Sequence, residues 1–277
     1  MMNSPVSPGP TLTAVARGLL ATGKKNRIVI KVGSALLVED KQIATSRIHE
    51  LCHLIADLSE RYEVLLVTSG AVAMGSTEVP LDKSTMPNKQ ALAALGQPLL
   101  MHLYYTEFQK FGLFCAQMLL DSHDFDSRKR TANAANAIEV LLANKIIPVI
   151  NENDATATAE IAFGDNDQMS AHVAMHFNAH LLVILSDIDG YYSDNPKTNP
   201  EAKLRRHVHQ LTIDELSAPA TPNNFYATGG IVTKLKAAQF MIENNRKMLL
   251  TNGYKLDLVR AFLLDGVHEI GTVFSNQ

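Results

Sequence analysis

Leu181-Leu182-Val183-Ile184-Leu185 is apolar without interruption. A strand with one face in water alternates polar and apolar side chains, so an unbroken run means burial on both faces. Such a strand belongs inside a sheet that helices cover on both sides. Ile28-Val29-Ile30, Val64-Leu65-Leu66-Val67 and Ile146-Ile147-Pro148-Val149-Ile150 are runs of the same kind. Between them apolar residues recur at helical spacing: Ile48, Leu51, Ile55 and Leu58, then Ile138, Leu141 and Leu142, then Met169, Val173 and Phe177. Alternation of the two periods predicts an α/β fold, a three-layer αβα sandwich around a mainly parallel sheet.

Other elements follow from the same reading. Phe114 to Leu119 is expected as a strand. Lys89 to Gln109 has a helical pattern, with a break or kink expected at Gly96 and Pro98. Arg130 to Asn144 reads as a helix, and Asp121, Asp124 and Asp126 as a polar loop before it. Tyr191 to Asn224, rich in Pro, Asn and charge, reads as surface loop with one short helix at most. Thr228-Gly229-Gly230 opens a helix marked by Leu235, Ala238 and Ile242. A last helix and the strand Gly271-Thr272-Val273-Phe274 finish the chain. Residues 1–26 read as an extension, where Pro5, Pro8, Gly9 and Pro10 discourage regular structure. The extension lacks acidic residues and carries Arg17, Lys24 and Lys25, so a targeting segment is the alternative to a plain leader. No linker divides residues 27–277, which are expected to form one domain.

Composition excludes several functions. The net charge of −3 gives no basic excess for nucleic acid, and aromatic residues make up only 6% with no tryptophan. No apolar run reaches the ~18–20 residues of a membrane span, so a cytoplasmic protein is expected. Cys52 and Cys115 are far apart with no CxxC, and read as buried thiols in a reducing compartment. The histidines are scattered, and His207-Val208-His209 reads as polar loop, so no protein metal site is expected.

Chemistry concentrates where the expected strands end. Lys31-Val32-Gly33-Ser34, Thr68-Ser69-Gly70-Ala71, Asn151 to Asp154 and Ser186-Asp187 each follow a strand, and Thr228 to Lys234 opens a helix. Strand ends of a parallel sheet share one edge, so these segments can converge on one crevice. Glycines let backbone N–H groups approach an anion, and a helix N-terminus adds partial positive charge. Lys31 and Lys234 would bring full charges to a phosphate. Lys31 interrupts a strand that otherwise reads as buried, which points to a task. Gly18 to Lys24 has Walker A spacing, but Lys25 stands where the Ser/Thr should be and no strand precedes it. Ser69 lacks a nucleophile elbow and reads as a ligand-binding hydroxyl.

Taken together, Ile30-Lys31-Val32-Gly33-Ser34, Val67-Thr68-Ser69-Gly70-Ala71, Lys89 to Gln97, Ile147 to Gln168 and Thr228 to Lys234 resemble the glutamate 5-kinases of the amino acid kinase family. The resemblance covers residues 27–277, and Pro148 to Asp154 followed by Gly164-Asp165-Asn166-Asp167 is its most specific part. It implies transfer of phosphate from ATP to the γ-carboxylate of L-glutamate, the first step of proline synthesis. By motif, Lys31 and Lys234 would contact the transferred phosphate, with Asp167 orienting them. Ser69, Gly70, Ala71, Asn151, Asp154 and Asn166 would hold glutamate. Lys31, Gly33, Ser186, Asp187 and the segment Thr228, Gly229, Gly230, Ile231, Val232, Thr233 and Lys234 would hold ATP.

The resemblance further implies Mg²⁺ brought by the nucleotide, proline as feedback inhibitor, and a homo-oligomer, dimer or tetramer. The C-terminal RNA-binding-like domain of many bacterial members is not expected, and Ala227 replaces a glycine that often precedes the threonine. Two alternatives remain open: a related kinase with another carboxylate substrate, and a non-catalytic glutamate or proline sensor.

Overall fold

The computed structural model describes residues 26–156, 166–196, 198–217 and 229–276 of the chain. The expected leader lies outside them except for Asn26, as do Gly164, Asp165 and Thr228. Strand β1 is Asn26–Val32, and a hairpin of β2 (Val38–Glu39) and β3 (Gln42–Ile43) follows it. Helix α1 (Thr45–Ser59) leads to β4 (Tyr62–Thr68), then to α2 (Ala71–Glu78) and α3 (Met86–Gln109). Next come β5 (Phe114–Leu120), α4 (Ser122–Asp126), α5 (Arg128–Ala143) and β6 (Ile146–Glu152). Helix α6 (Asn166–His176) and β7 (Leu181–Ser186) precede β8 (His207–Val208), α7 (Ile213–Ser217) and α8 (Gly229–Glu243). The chain closes with β9 (Lys247–Asn252), α9 (Leu256–Arg260), a π-helical turn at Ala261–Asp265, and β10 (Thr272–Phe274).

Among the described residues one sheet has the order β5-β6-β4-β1-β7-β9-β10-β8. Neighbours from β5 through β9 pair in parallel, and β10 runs antiparallel to β9. Alternation along β1 divides the core. Ile28, Ile30 and Val32 face one apolar layer with residues of α1 and α3, while Val29 faces another with residues of α6 and α8. The expected αβα sandwich is therefore the fold.

Several local readings are corrected. Lys247–Asn252 was not anticipated as a strand, although Met248, Leu249 and Leu250 are wholly buried and pair with β7. Helix α3 continues through Gly96 and Pro98, so the break expected as one alternative there is absent. Gly96 serves packing instead: a Cβ there would lie 1.9 Å from the Ala71 carbonyl oxygen, so only glycine lets α3 cross α2 this closely. The expected loop at 207–209 contains an edge strand, since His207 and Val208 pair with Val273 and Phe274. Asp121 and Asp124 are the two halves of a capping box on α4, not a loop. Cys52 is buried, but Cys115 is only partly so.

Candidate active site

The strand order places the crevice where β1 is flanked by β4 on one side and β7 on the other. Lys31 is the sixth residue of β1 and falls on the face of Val29, beneath α6 and α8. Its ammonium lies 2.5 Å from Oδ1 of Asp167, which is completely buried in the first turn of α6. Lys234, on α8, reaches Oδ2 of the same carboxylate at 2.9 Å and also donates to the Gly230 carbonyl at 2.9 Å. The Thr233 hydroxyl donates to Oδ2 of Asp167 at 3.2 Å. Gln168 ties the two helices together by donating to the Thr233 carbonyl at 2.8 Å.

Burial pushes the Asp167 carboxyl up, but the ammonium groups of Lys31 and Lys234 outweigh it and hold the group below the ordinary carboxylate range. One buried anion thus fixes two cations. The cluster keeps a net positive charge, which a phosphate could neutralise.

Lys31, Gly33, Ser69, Ser186, Asp187 and Lys234 line one cavity of about 200 Å³. Ser69 and Gly70 join β4 to α2, and Gly70 has φ of +103°, a left-handed turn that favours glycine. Ala71 is the first residue of α2, so the N–H groups of its first turn have no helical acceptors. Ser186 ends β7 and donates to Oδ1 of Asp187 at 3.1 Å. Gly229 and Gly230 open α8. Ile231 packs in the apolar layer and Val232 against it.

A second polar group forms where β4 and β6 end. Asn151 and Asn166 are buried, and Asn166 donates to the Thr68 carbonyl at 2.5 Å and to Oδ1 of Asn151 at 2.8 Å. Asn151 Oδ1 also accepts from the N–H of Glu152 at 2.9 Å. Asp154 is half-buried just beyond β6, and burial pushes its carboxyl up.

A model of the amino acid kinase family matches residues 26–252. The chain belongs to the amino acid kinase family. Within that family, the glutamate 5-kinase of Leishmania donovani is 64% identical over 248 residues, covering 90% of this chain and 94% of its own. That of Wolinella succinogenes is 57% identical, with 90% and 97% covered. That of Helicobacter hepaticus is 46% identical, with 91% and 95% covered. Among solved structures, isopentenyl phosphate kinase of T. acidophilum superposes with a TM-score of 0.61 at 16% identity, covering 90% of this chain and 99% of that one. UMP kinase of Ureaplasma parvum gives 0.60 at 19%, covering 91% and 99%. At such identities these two structures speak to the family's fold alone.

The structure brings Lys31, Asp167, Thr233 and Lys234 into direct contact, and Asn151 with Asn166. Thr228 is the one expected site residue outside the description. The sequence reading missed the end of β9, where Asn252 and Lys255 both hold Oδ1 of Asp189 beside the Ser186–Asp187 corner. Its signal was the apolar run 248–250 followed by Asn252-Gly253. It also assigned no role to Gln97, which donates to Gln117 and accepts from Asn151.

Proposed function

We propose that the chain transfers the γ-phosphoryl group of ATP to the γ-carboxylate of L-glutamate, giving L-glutamyl 5-phosphate and ADP for proline synthesis. The observation that carries the mechanism is the pair of ammonium groups held on the single buried carboxylate of Asp167. A γ-carboxyl with pKa ~4.3 is ionised at neutral pH, so one of its oxygens attacks phosphorus without a general base. The new O–P bond forms as the bond to the β,γ-bridging oxygen breaks, and its electron pair leaves with ADP. No proton moves. The obstacle is repulsion between two anions, and Lys31 and Lys234 are placed to offset it.

In this reading Ser186, Asp187, Gly33 and the start of α8 hold ATP. Mg²⁺ supplies further charge neutralisation on the phosphates. Among the described residues no three His, Cys, Asp or Glu side chains form a metal cluster. Ser69, Gly70 and Ala71 face the substrate carboxylate, and Asp154 the α-ammonium. Both N–H bonds of Asn166 are committed to the protein, so it offers glutamate its carbonyl oxygen. Proline as inhibitor, a homo-oligomer of two or four chains, a single domain over 27–277 and a cytoplasmic setting complete the proposal by family resemblance. Among the described residues no helix is long and apolar enough to cross a membrane.

Purified protein with glutamate, ATP and Mg²⁺ should yield glutamyl phosphate, trapped by hydroxylamine as the hydroxamate. Absence of hydroxamate above a Lys31→Ala control, in folded protein, would sink the proposal. A panel of aspartate, acetylglutamate and carbamate tests the related kinases. Proline binding without nucleotide binding, by calorimetry, would favour a sensor.

Asp154 gives a pH prediction. Its folded pKa is raised by burial, so the free protein loses stability as pH rises from the unfolded pKa through the folded one. A bound ammonium favours the ionised form, so glutamate affinity should fall as pH drops toward that raised pKa. Asp154→Asn should raise KM for glutamate by about 30-fold or more and remove this acid limb. Initial rates followed from neutral pH down to the onset of acid unfolding check it.

A further inference from the structure

Helix α3 touches the proposed glutamate pocket from behind at two points. Gln97 accepts from Nδ2 of Asn151 at 2.8 Å and donates to Oε1 of Gln117 at 2.9 Å. Tyr104 shares a hydrogen bond of 2.9 Å with the Thr68 hydroxyl. Gln97 and Tyr104 are seven positions apart on one helix and so lie on one face. Both are buried, as are Thr68, Asn151 and Asn166.

The directions of the Asn166, Asn151 and Gln97 amides are determined by their partners. The Thr68 carbonyl can only accept, so the Asn166 atom at 2.5 Å is its nitrogen. The Glu152 N–H can only donate, so the Asn151 atom facing it is oxygen. Nδ2 of Asn151 must then point the other way, where Oε1 of Gln97 receives one of its two N–H bonds. The second N–H of Asn151 is left to offer a ligand a donor, while Asn166 offers an acceptor. That is the polarity an amino acid demands, with a donor for carboxylate and an acceptor for ammonium.

We infer that Gln97 is a positioning residue for glutamate: it acts through Asn151 and holds the amide pair in the orientation that reads the substrate. This rests on the reading of Asn151 and Asn166 as glutamate-binding groups. Gly96, immediately before it, lets α3 pack tightly on α2, and Gln117 on β5 accepts from the nitrogen end of the Gln97 amide.

The test uses the full chain as wild type, Gln97→Met, Gln97→Glu and Gln117→Met, with KM measured separately for glutamate and ATP. Gln97→Met keeps the volume but removes the acceptor, and should raise KM for glutamate about tenfold with KM for ATP within about twofold. Gln97→Glu keeps an acceptor toward Asn151, and the exposed Gln117 amide can turn to donate, so its KM should stay within about threefold of wild type. An unchanged glutamate KM in Gln97→Met, equal rises in both KM values, or Gln97→Glu no better than Gln97→Met would each overturn the inference. Should Gln97→Met not fold, the exposed Gln117→Met decides, with a glutamate KM raised about threefold expected and an unchanged one overturning. A wild type inactive on glutamate would overturn the proposed function itself, whereas an active wild type with unmoved variants overturns this inference alone.

Discussion

Lys31→Met is expected to keep the fold and lose about two to three orders of magnitude in kcat, the scale found when a preorganised donor to transition-state charge is removed. Methionine preserves the length and apolar stem of the side chain but not its ammonium. Asp167 then retains Lys234 at 2.9 Å, so a balanced pair replaces two cations on one anion. The buried charge is better matched than before, and thermal stability should hardly move. Asp167→Asn behaves oppositely. It leaves two ammonium groups beside a neutral amide, and should cost about 3–5 kcal/mol of stability, the range for breaking a buried ion pair. Stopped-rate assays and thermal melts on both variants separate the two effects. A Lys31→Met enzyme keeping more than about a tenth of kcat would remove Lys31 from the reaction.

Gly96→Ala should destabilise the protein by about 3 kcal/mol, at the upper end of the range for overpacked cores. For a chain of this size that corresponds to a fall of about 6–12 °C in Tm. The added methyl would lie 1.9 Å from the Ala71 carbonyl oxygen and 2.4 Å from the Gly75 nitrogen. Both are backbone atoms, so no rotamer change relieves the clash and the two helices must part. Because α2 begins at Ala71, the movement reaches the Ser69–Gly70 turn, and any surviving activity should show a raised KM for glutamate. A melt within about 2 °C of wild type would show that the crossing is looser than its geometry states.

What could be read from the residues follows from how local each signal is. The buried strands β1, β4 and β7 announce themselves because three to five apolar residues in a row admit few other fates. Lys31 and the Asn151–Asp154 run were legible for the complementary reason, as polar groups where burial was expected. Strand β9 was overlooked because Met248-Leu249-Leu250 is short and follows a helix after only a few polar residues. Its identity is settled by pairing with β7, a long-range fact. Gly96 suggested a break because a helix breaker and a packing contact look alike in one dimension. Only the Ala71 carbonyl, on another helix, tells them apart. Gln97 carried no local signal, since its partners Asn151 and Gln117 lie on two different strands. Ile231 and Val232 belonged to the segment expected to hold ATP, yet their side chains serve the core.

The position of β1 has a consequence for biosynthesis. Every residue of β1 is buried, and its two partners differ greatly in when they appear: Asn26 pairs with Tyr62, but Ile28 also pairs with Leu181. A nascent chain that has made β1, α1 and β4 therefore has two open edges, that of β4 until β6 is made and that of β1 until β7 leaves the ribosome, many seconds later at usual translation speeds. Open apolar edges invite intermolecular pairing, and a charge placed on such a strand is a common deterrent. Alongside Arg27, Lys31 is such a charge. Before Asp167 and Lys234 exist, its ammonium must stay hydrated, which discourages a second chain from adding to the edge. One side chain can thus guard the half-made sheet and later face phosphate in the finished one.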